Sequence, residues 1–215
     1  MTVHHHPTDE TLAAHAAGAL DIGRSLVVEA HLEACPRCRC WVGSLHAVGG
    51  LMLADIKPMA LSPGALDRTL AALPAQVPVQ SPPRPRAATA EAITLPRILE
   101  GRRIGEWKWL GPGIHRCDIE VPDADGARVF LLRAAPGTRM PHHTHTGSEL
   151  TLVLSGAFAH EGGTYRAGDF DEADDDVEHQ PVVRPGATCV CLVAMTGDLR
   201  LVGWLGRVLQ PFVRI

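Results

Sequence analysis

The sequence predicts an α+β chain built as two units: a small helical bundle followed by an all-β sandwich or small barrel. Three observations predict it. Apolar residues recur at helical spacing across residues 8–73, and a proline-rich stretch without periodicity follows. From about Ile93 onward the apolar runs become short and are bounded by Gly, Pro and Asp. The expected boundaries are 1–75 for the helical unit, 76–92 for the linker and 93–215 for the β unit.

Four helices are expected. Thr8 and Asp9 cap a first helix carrying Leu12, Ala13, Ala16 and Leu20, with Gly18 near its end. Asp21 caps a second that carries Leu26, Val27, Ala30 and Leu32. Pro36 starts a third with Trp41, Val42, Leu45, Val48 and Leu51, since proline is tolerated in the first turn. Ser62 and Pro63 open a short fourth that ends near Leu73. The linker PAQVPVQSPPRPRAATAEA holds Pro74, Pro78, Pro82, Pro83 and Pro85, which forbid a helix and favour an extended spacer. In the β unit, RVFLLRAA, ELTLVLSGAF and TCVCLVAM read as strands at spacings typical of a sandwich or barrel.

Bulk composition excludes several classes of function. A formal charge of −4 over 215 residues argues against direct nucleic-acid binding, which needs an excess of Lys and Arg on one face. No apolar run reaches the roughly 18 residues that span a bilayer. The start MTVHHHPTDE lacks the basic and apolar regions of a secretory signal, so a cytoplasmic location is expected. In a reducing compartment, six cysteines and twelve histidines point to metal or redox chemistry before structural disulfides.

The first ligand constellation is His6, His31, Cys35 and Cys38, spaced H-x24-H-x3-C-x2-C. His31 and Cys35 project from one helix face, and the C-x2-C turn brings two thiolates to one ion. Two thiolates and two neutral imidazoles make a closed tetrahedral Zn²⁺ site. Spacing alone does not separate His4, His5 and His6. A thioredoxin-like dithiol is the rival, but that motif wants a βαβ context and this segment is helical on both sides. Cys40 is an extra thiol that a tetrahedral site does not need.

The second constellation lies between Gly137 and Gly156, which match the first cupin motif, G-x5-H-x-H-x3-E-x6-G, without a gap. His143 and His145 alternate along a strand and so share a face, and Glu149 follows across a turn at Gly147. His179 is the best candidate for the fourth ligand. Three His and one Glu leave open positions on the metal. The acidic run containing Asp169, Asp171, Glu172, Asp174, Asp175, Asp176 and Glu178 reads as a solvated loop, and His142 and His160 as structural or exposed. Cys189 and Cys191 share a strand face and read as core cysteines near the upper limit of disulfide reach, so a strain-free bond between them is not expected; a direct oxidation role is the weaker alternative.

Over its whole length the chain resembles the ChrR-type zinc-binding anti-sigma factors, which carry a cupin-like C-terminal domain. The shared features are the MT-x-x-H-H start, AAG-x-L, SLVV-x-x-HL, C-x2-C followed by AVGG, ELTLVL-x-GAF, C-x-CL and QPF-x-RI. Cys40 departs from that pattern. The resemblance implies a helical anti-sigma domain and a cupin barrel of the double-stranded β-helix, or jelly-roll, type. It maps one zinc to His6, His31, Cys35 and Cys38, and a second to His143, His145, Glu149 and His179. It implies a partner, a group IV extracytoplasmic-function sigma factor, released in response to singlet oxygen or organic peroxide, and no enzymatic activity. The alternative is a cupin metalloenzyme, an Fe or Mn dioxygenase or isomerase, which leaves the helical zinc domain unexplained. A pocket rich in Arg or Tyr would favour it, yet the chain has one tyrosine, Tyr165.

Overall fold

The computed structural model describes residues 2–73, 93–122 and 126–202. The proline-rich linker and the QPF-x-RI terminus lie outside the described residues.

The helical unit comprises α1 (Asp9–Ala16), α2 (Ile22–Ala34), α3 (Pro36–Ala54) and α4 (Ala65–Ala72). Local chemistry sets most of these limits. The Thr8 side chain accepts from Thr11 N–H and the Asp21 side chain from Arg24 N–H, satisfying first-turn donors of α1 and α2. Gly18, at φ +68°, ends α1 earlier than its apolar spacing suggests, so Leu20 lies beyond the helix while still packing on the core. Cys35 is at once the last cap of α2 and the first of α3, with Pro36 in the first turn. The two helices therefore meet at a one-residue corner.

Eleven described strands follow: β1 (Lys108–Gly111), β2 (Ile114–Ile119), β3 (Arg128–Ala134), β4 (His143–His145), β5 (Glu149–Ser155), β6 (Ala157–His160), β7 (Gly163–Arg166), β8 (Phe170–Ala173), β9 (Val182–Val183), β10 (Cys189–Met195) and β11 (Leu199–Leu201). An antiparallel sheet runs β1-β2-β3-β10-β5-β8, accompanied by β7-β6-β9 and β11-β4. This is the expected barrel. Its strands alternate with period two. One face presents Phe130, Val153, Phe158, Cys191, Val193 and Met195 to the barrel interior. The other presents Val129, Leu131, Leu150, Leu152, Leu192 and Ala194 outward.

That outward face is covered by the helical unit. Leu26, Val27 and Ala30 of α2, with Leu12 of α1, share one core with the outer strand residues. Covering both faces explains why β10 is buried at all seven positions and reads as the unbroken apolar run CVCLVAM. Gly23 permits the approach: a Cβ there would stand 3.0 Å from both Ala127 Cβ and Val129 Cγ2. At the far end of α2, the Glu33 carboxylate accepts from the N–H groups of Arg97 and Ile98, each at 2.8 Å. No helix among the described residues is long and apolar enough to cross a membrane.

Two substitutions test this packing by thermal unfolding. Gly23→Val should destabilise by about 1–3 kcal/mol, because the added methyls have no room against the sheet. Gly43→Ala, whose Cβ meets nothing within 4 Å on α3, should instead stabilise by about 0.5–1 kcal/mol through helix propensity. Equal, small effects at both sites would contradict the docking of α2.

Candidate metal centres

The first cluster sits at the corner between α2 and α3. His6 Nδ1 lies 3.4 Å from Cys35 Sγ and 3.3 Å from Cys38 Sγ, and His31 Nε2 lies 3.4 Å from Cys38 Sγ. A tetrahedral zinc ion with ordinary Zn–S and Zn–N bonds sets N···S separations of about 3.5 Å. All four donor atoms fall within 4.8 Å of one another. The ring that joins them is that of His6; the backbone N–H groups of His4 and His5 instead donate to Asp169 Oδ1.

Protonation suits a cation there. The buried His31 donates from Nδ1 to the Gly168 carbonyl at 3.1 Å, which leaves the Nε2 lone pair aimed at the thiols. Burial pushes the His31 pKa down to about 4, so the ring is neutral at physiological pH. Burial, reinforced by the adjacent Cys35, pushes the Cys38 thiol up to about 12. Two buried thiols and two neutral imidazoles form a set that a divalent cation would complete, displacing the thiol protons. A cleft of about 470 Å³ opens beside the cluster, lined by His6, Arg37, Cys38, Cys40 and Trp41 among others. Cys40 is exposed and stands outside the four-donor set.

The second cluster is inside the barrel. His179 Nε2 lies 3.0 Å from His143 Nε2 and 3.4 Å from His145 Nε2. Nitrogens bound to one ion stand about 2.9 Å apart at octahedral angles and about 3.3 Å apart at tetrahedral ones. The spacing therefore accepts either geometry. His143 Nδ1 donates to the Pro141 carbonyl at 2.7 Å, turning its Nε2 inward. Burial pushes His179 down to about 3, and the Nδ1 atoms of His145 and His179 are buried without a hydrogen-bond partner. Glu149 stands just outside this trio. Its Oε2 is 4.0 Å from His145 Nδ1, its Oε1 accepts from Thr151 Oγ1 at 3.1 Å, and burial raises its pKa.

Beside His179 lies a pair that falls outside the cupin motif, His160 and Asp171. The Gly162 N–H donates to His160 Nδ1, so His160 Nε2 carries a proton and donates to Asp171 Oδ2 at 3.0 Å. Asp171 is 8% exposed and Asp169 1%, so this part of the acidic run is no solvated loop. The alternation of β8 accounts for it: Phe170 joins the core under the helices, whereas Asp171 pairs with His160 beside the cupin histidines. His160 is thus a partner of the barrel cluster, while His142 is exposed and pairs with Glu178 at 3.4 Å. Cys189 and Cys191 are buried free thiols with sulfurs 3.8 Å apart.

Comparison with known proteins agrees with both halves. A zinc-finger family model matches residues 8–39, and the model of the ChrR cupin-like domain matches residues 103–197. The anti-sigma-E factor ChrR of Cereibacter sphaeroides is 41% identical over the full length of both chains. A crystal structure of Rhodobacter sphaeroides SigE in complex with the anti-sigma ChrR superposes with a TM-score of 0.73 at 38% identity, covering 90% of this chain and 99% of that one. An RmlC-like cupin protein from Ralstonia eutropha gives a TM-score of 0.42 at 17% identity, over 49% of this chain and 69% of its own. Identity across the whole length, with a zinc-finger match on the helices and a cupin match on the strands, shows that the chain belongs to the ChrR family of anti-sigma factors.

Proposed function

We propose that the chain sequesters a group IV extracytoplasmic-function sigma factor through its helical unit and releases it on an oxidative signal, singlet oxygen or organic peroxide, sensed at the cupin. The observation that carries the binding half is an uncovered apolar segment. From Val48 to Leu73, ten large apolar side chains are more than half exposed, including Leu51, Met52, Leu53, Ile56, Met59 and Leu61. An isolated chain seldom leaves so many large apolar side chains of one segment in water unless a protein partner covers them. The family membership names the partner class. The setting is the cytoplasm, with no contact to nucleic acid or membrane by this chain itself.

In this reading the unit boundaries are 1–75 and 93–215, with 76–92 as linker. His6, His31, Cys35 and Cys38 hold a structural zinc ion. His143, His145, Glu149 and His179 hold a second ion, zinc or another divalent metal. Such a closed tetrahedral site contributes folding free energy, whereas an open cupin site has room for a small oxidant. The barrel interior is packed with Phe130, Phe158 and Met195, which favours a sensor of small molecules over a pocket that turns over a bulky substrate.

Elemental analysis of the purified chain should find close to two metal ions per molecule. Cys38→Ser should remove one of them and abolish inhibition of transcription driven by the cognate sigma factor; full inhibition by that variant would sink the structural role. Glu149→Ala should inhibit as strongly as the parent yet fail to release the sigma factor in cells exposed to singlet oxygen or peroxide. Normal induction in the Glu149→Ala strain would mean that the cupin is not the sensor.

A further inference from the structure

We propose that the cupin completes the N-terminal metal site: Asp169, acting through the backbone of His4 and His5, is a positioning residue for His6, and retention of the metal depends on it. The inference rests on the reading that His6, His31, Cys35 and Cys38 hold an ion.

The four donors are held by different parts of the fold. Cys35 and Cys38 are fixed by the corner between α2 and α3. His6 lies ahead of α1, outside any helix, and the long-range hydrogen bonds on its flanks all run to the β7–β8 region of the barrel. The N–H groups of His4 and His5 donate to Asp169 Oδ1 at 2.7 and 3.1 Å, and Phe170 N–H donates to the His5 carbonyl at 3.1 Å. The His5 ring packs on Tyr165 with centroids 4.3 Å apart. It also lies over Gly163, where an added Cβ would meet His5 Cε1 at 3.2 Å. On the other side of His6, Thr8 N–H and Oγ1 both donate to Glu172 at 3.0 Å. The barrel also orients His31, through the Gly168 carbonyl. Both imidazoles of the site are therefore aimed by residues 163–172, and both thiols by the helices.

Asp169 is built for this task. It is almost wholly buried, and its second oxygen accepts from Arg166 N–H at 2.9 Å, which ties it to the turn before β8. A ligand on a pinned segment binds with little loss of chain entropy, whereas one on a free terminus must be ordered by the metal itself. Loss of outer-shell support of this kind typically costs 10–100-fold in metal affinity.

The test uses the full-length chain, loaded with zinc and challenged with a chromogenic chelator, and in parallel loaded with Co²⁺ to read the thiolate-to-cobalt charge-transfer band. That band reports the N-terminal site, where both thiolates reside. Asp169→Ala should lose zinc from this site about tenfold faster and shift the band, while Asp169→Asn, which keeps an oxygen for the two amides, should fall between it and the parent. Parental rates and an unchanged band in Asp169→Ala would overturn the proposal. Should Asp169→Ala fail to fold, Asp169→Asn carries the test: it should lose zinc faster than the parent, and a parental rate with an unchanged band there would overturn the proposal equally. A parent chain without any thiolate-to-cobalt band would overturn the metal assignment itself, and this inference with it.

Discussion

Two backbone amides near the start of the chain, those of His4 and His5, find their acceptor in one carboxylate more than 160 residues later. Burial alone would raise the Asp169 pKa, yet the N–H groups of His4, Arg166 and His5 hold it below the usual carboxylate range. The carboxylate and the amides thus satisfy each other where water is largely excluded, and neither can be withdrawn cheaply. The rest of the arrangement depends on this junction. It places His6 against the cysteines, and it sets Thr8 beside Glu172, where α1 begins.

The central sheet separates the two clusters of candidate metal ligands. On its outer face the helices bury Leu152, Leu192 and Phe170 beneath α2, and the edge of the Phe170 ring meets His31 with centroids 5.4 Å apart. On its inner face stand the cupin histidines. Strand β8 contributes to both, since Phe170 and Asp171 are consecutive residues with opposite directions. Asp171 holds His160, whose ring lies 5.2 Å from that of His179. A change at the barrel histidines therefore meets, within one strand, the segment that supports the N-terminal site. The two donor clusters share a boundary one strand thick.

Much of this was legible in the sequence, and the reason is range. Caps at Thr8 and Asp21, the corner at Pro36, the C-x2-C turn and the H-x-H strand are local, so spacing alone reveals them. The continuous apolar run of β10 signalled a strand covered on both faces, though not what covered it. What could not be read was the docking. Nothing near Gly23 says that Val129 will lie against it, and nothing near His4 names Asp169. Inside DFDEADDD the charges look uniform, yet Asp169 and Asp171 are buried just before and within β8, whereas Asp174, Asp175 and Asp176 lie exposed past its end. The early end of α1 at Gly18 was visible in principle, because a glycine past a helix is a stop signal even where Leu20 keeps the apolar period. Glu149 matched the motif by spacing, yet its carboxylate faces Nδ1 of His145, a detail that spacing does not encode.

Under the proposed function the exposed apolar segment running from α3 through α4 meets the sigma factor, while the barrel packs against α2. Amide hydrogen exchange of the full-length chain, alone and bound to its cognate group IV sigma factor, tests this most directly. Strong new protection is expected across residues 45–73 on binding, with the exchange of β3, β5 and β10 unchanged. New protection confined to the barrel strands, with residues 45–73 exchanging as in the free chain, would contradict it.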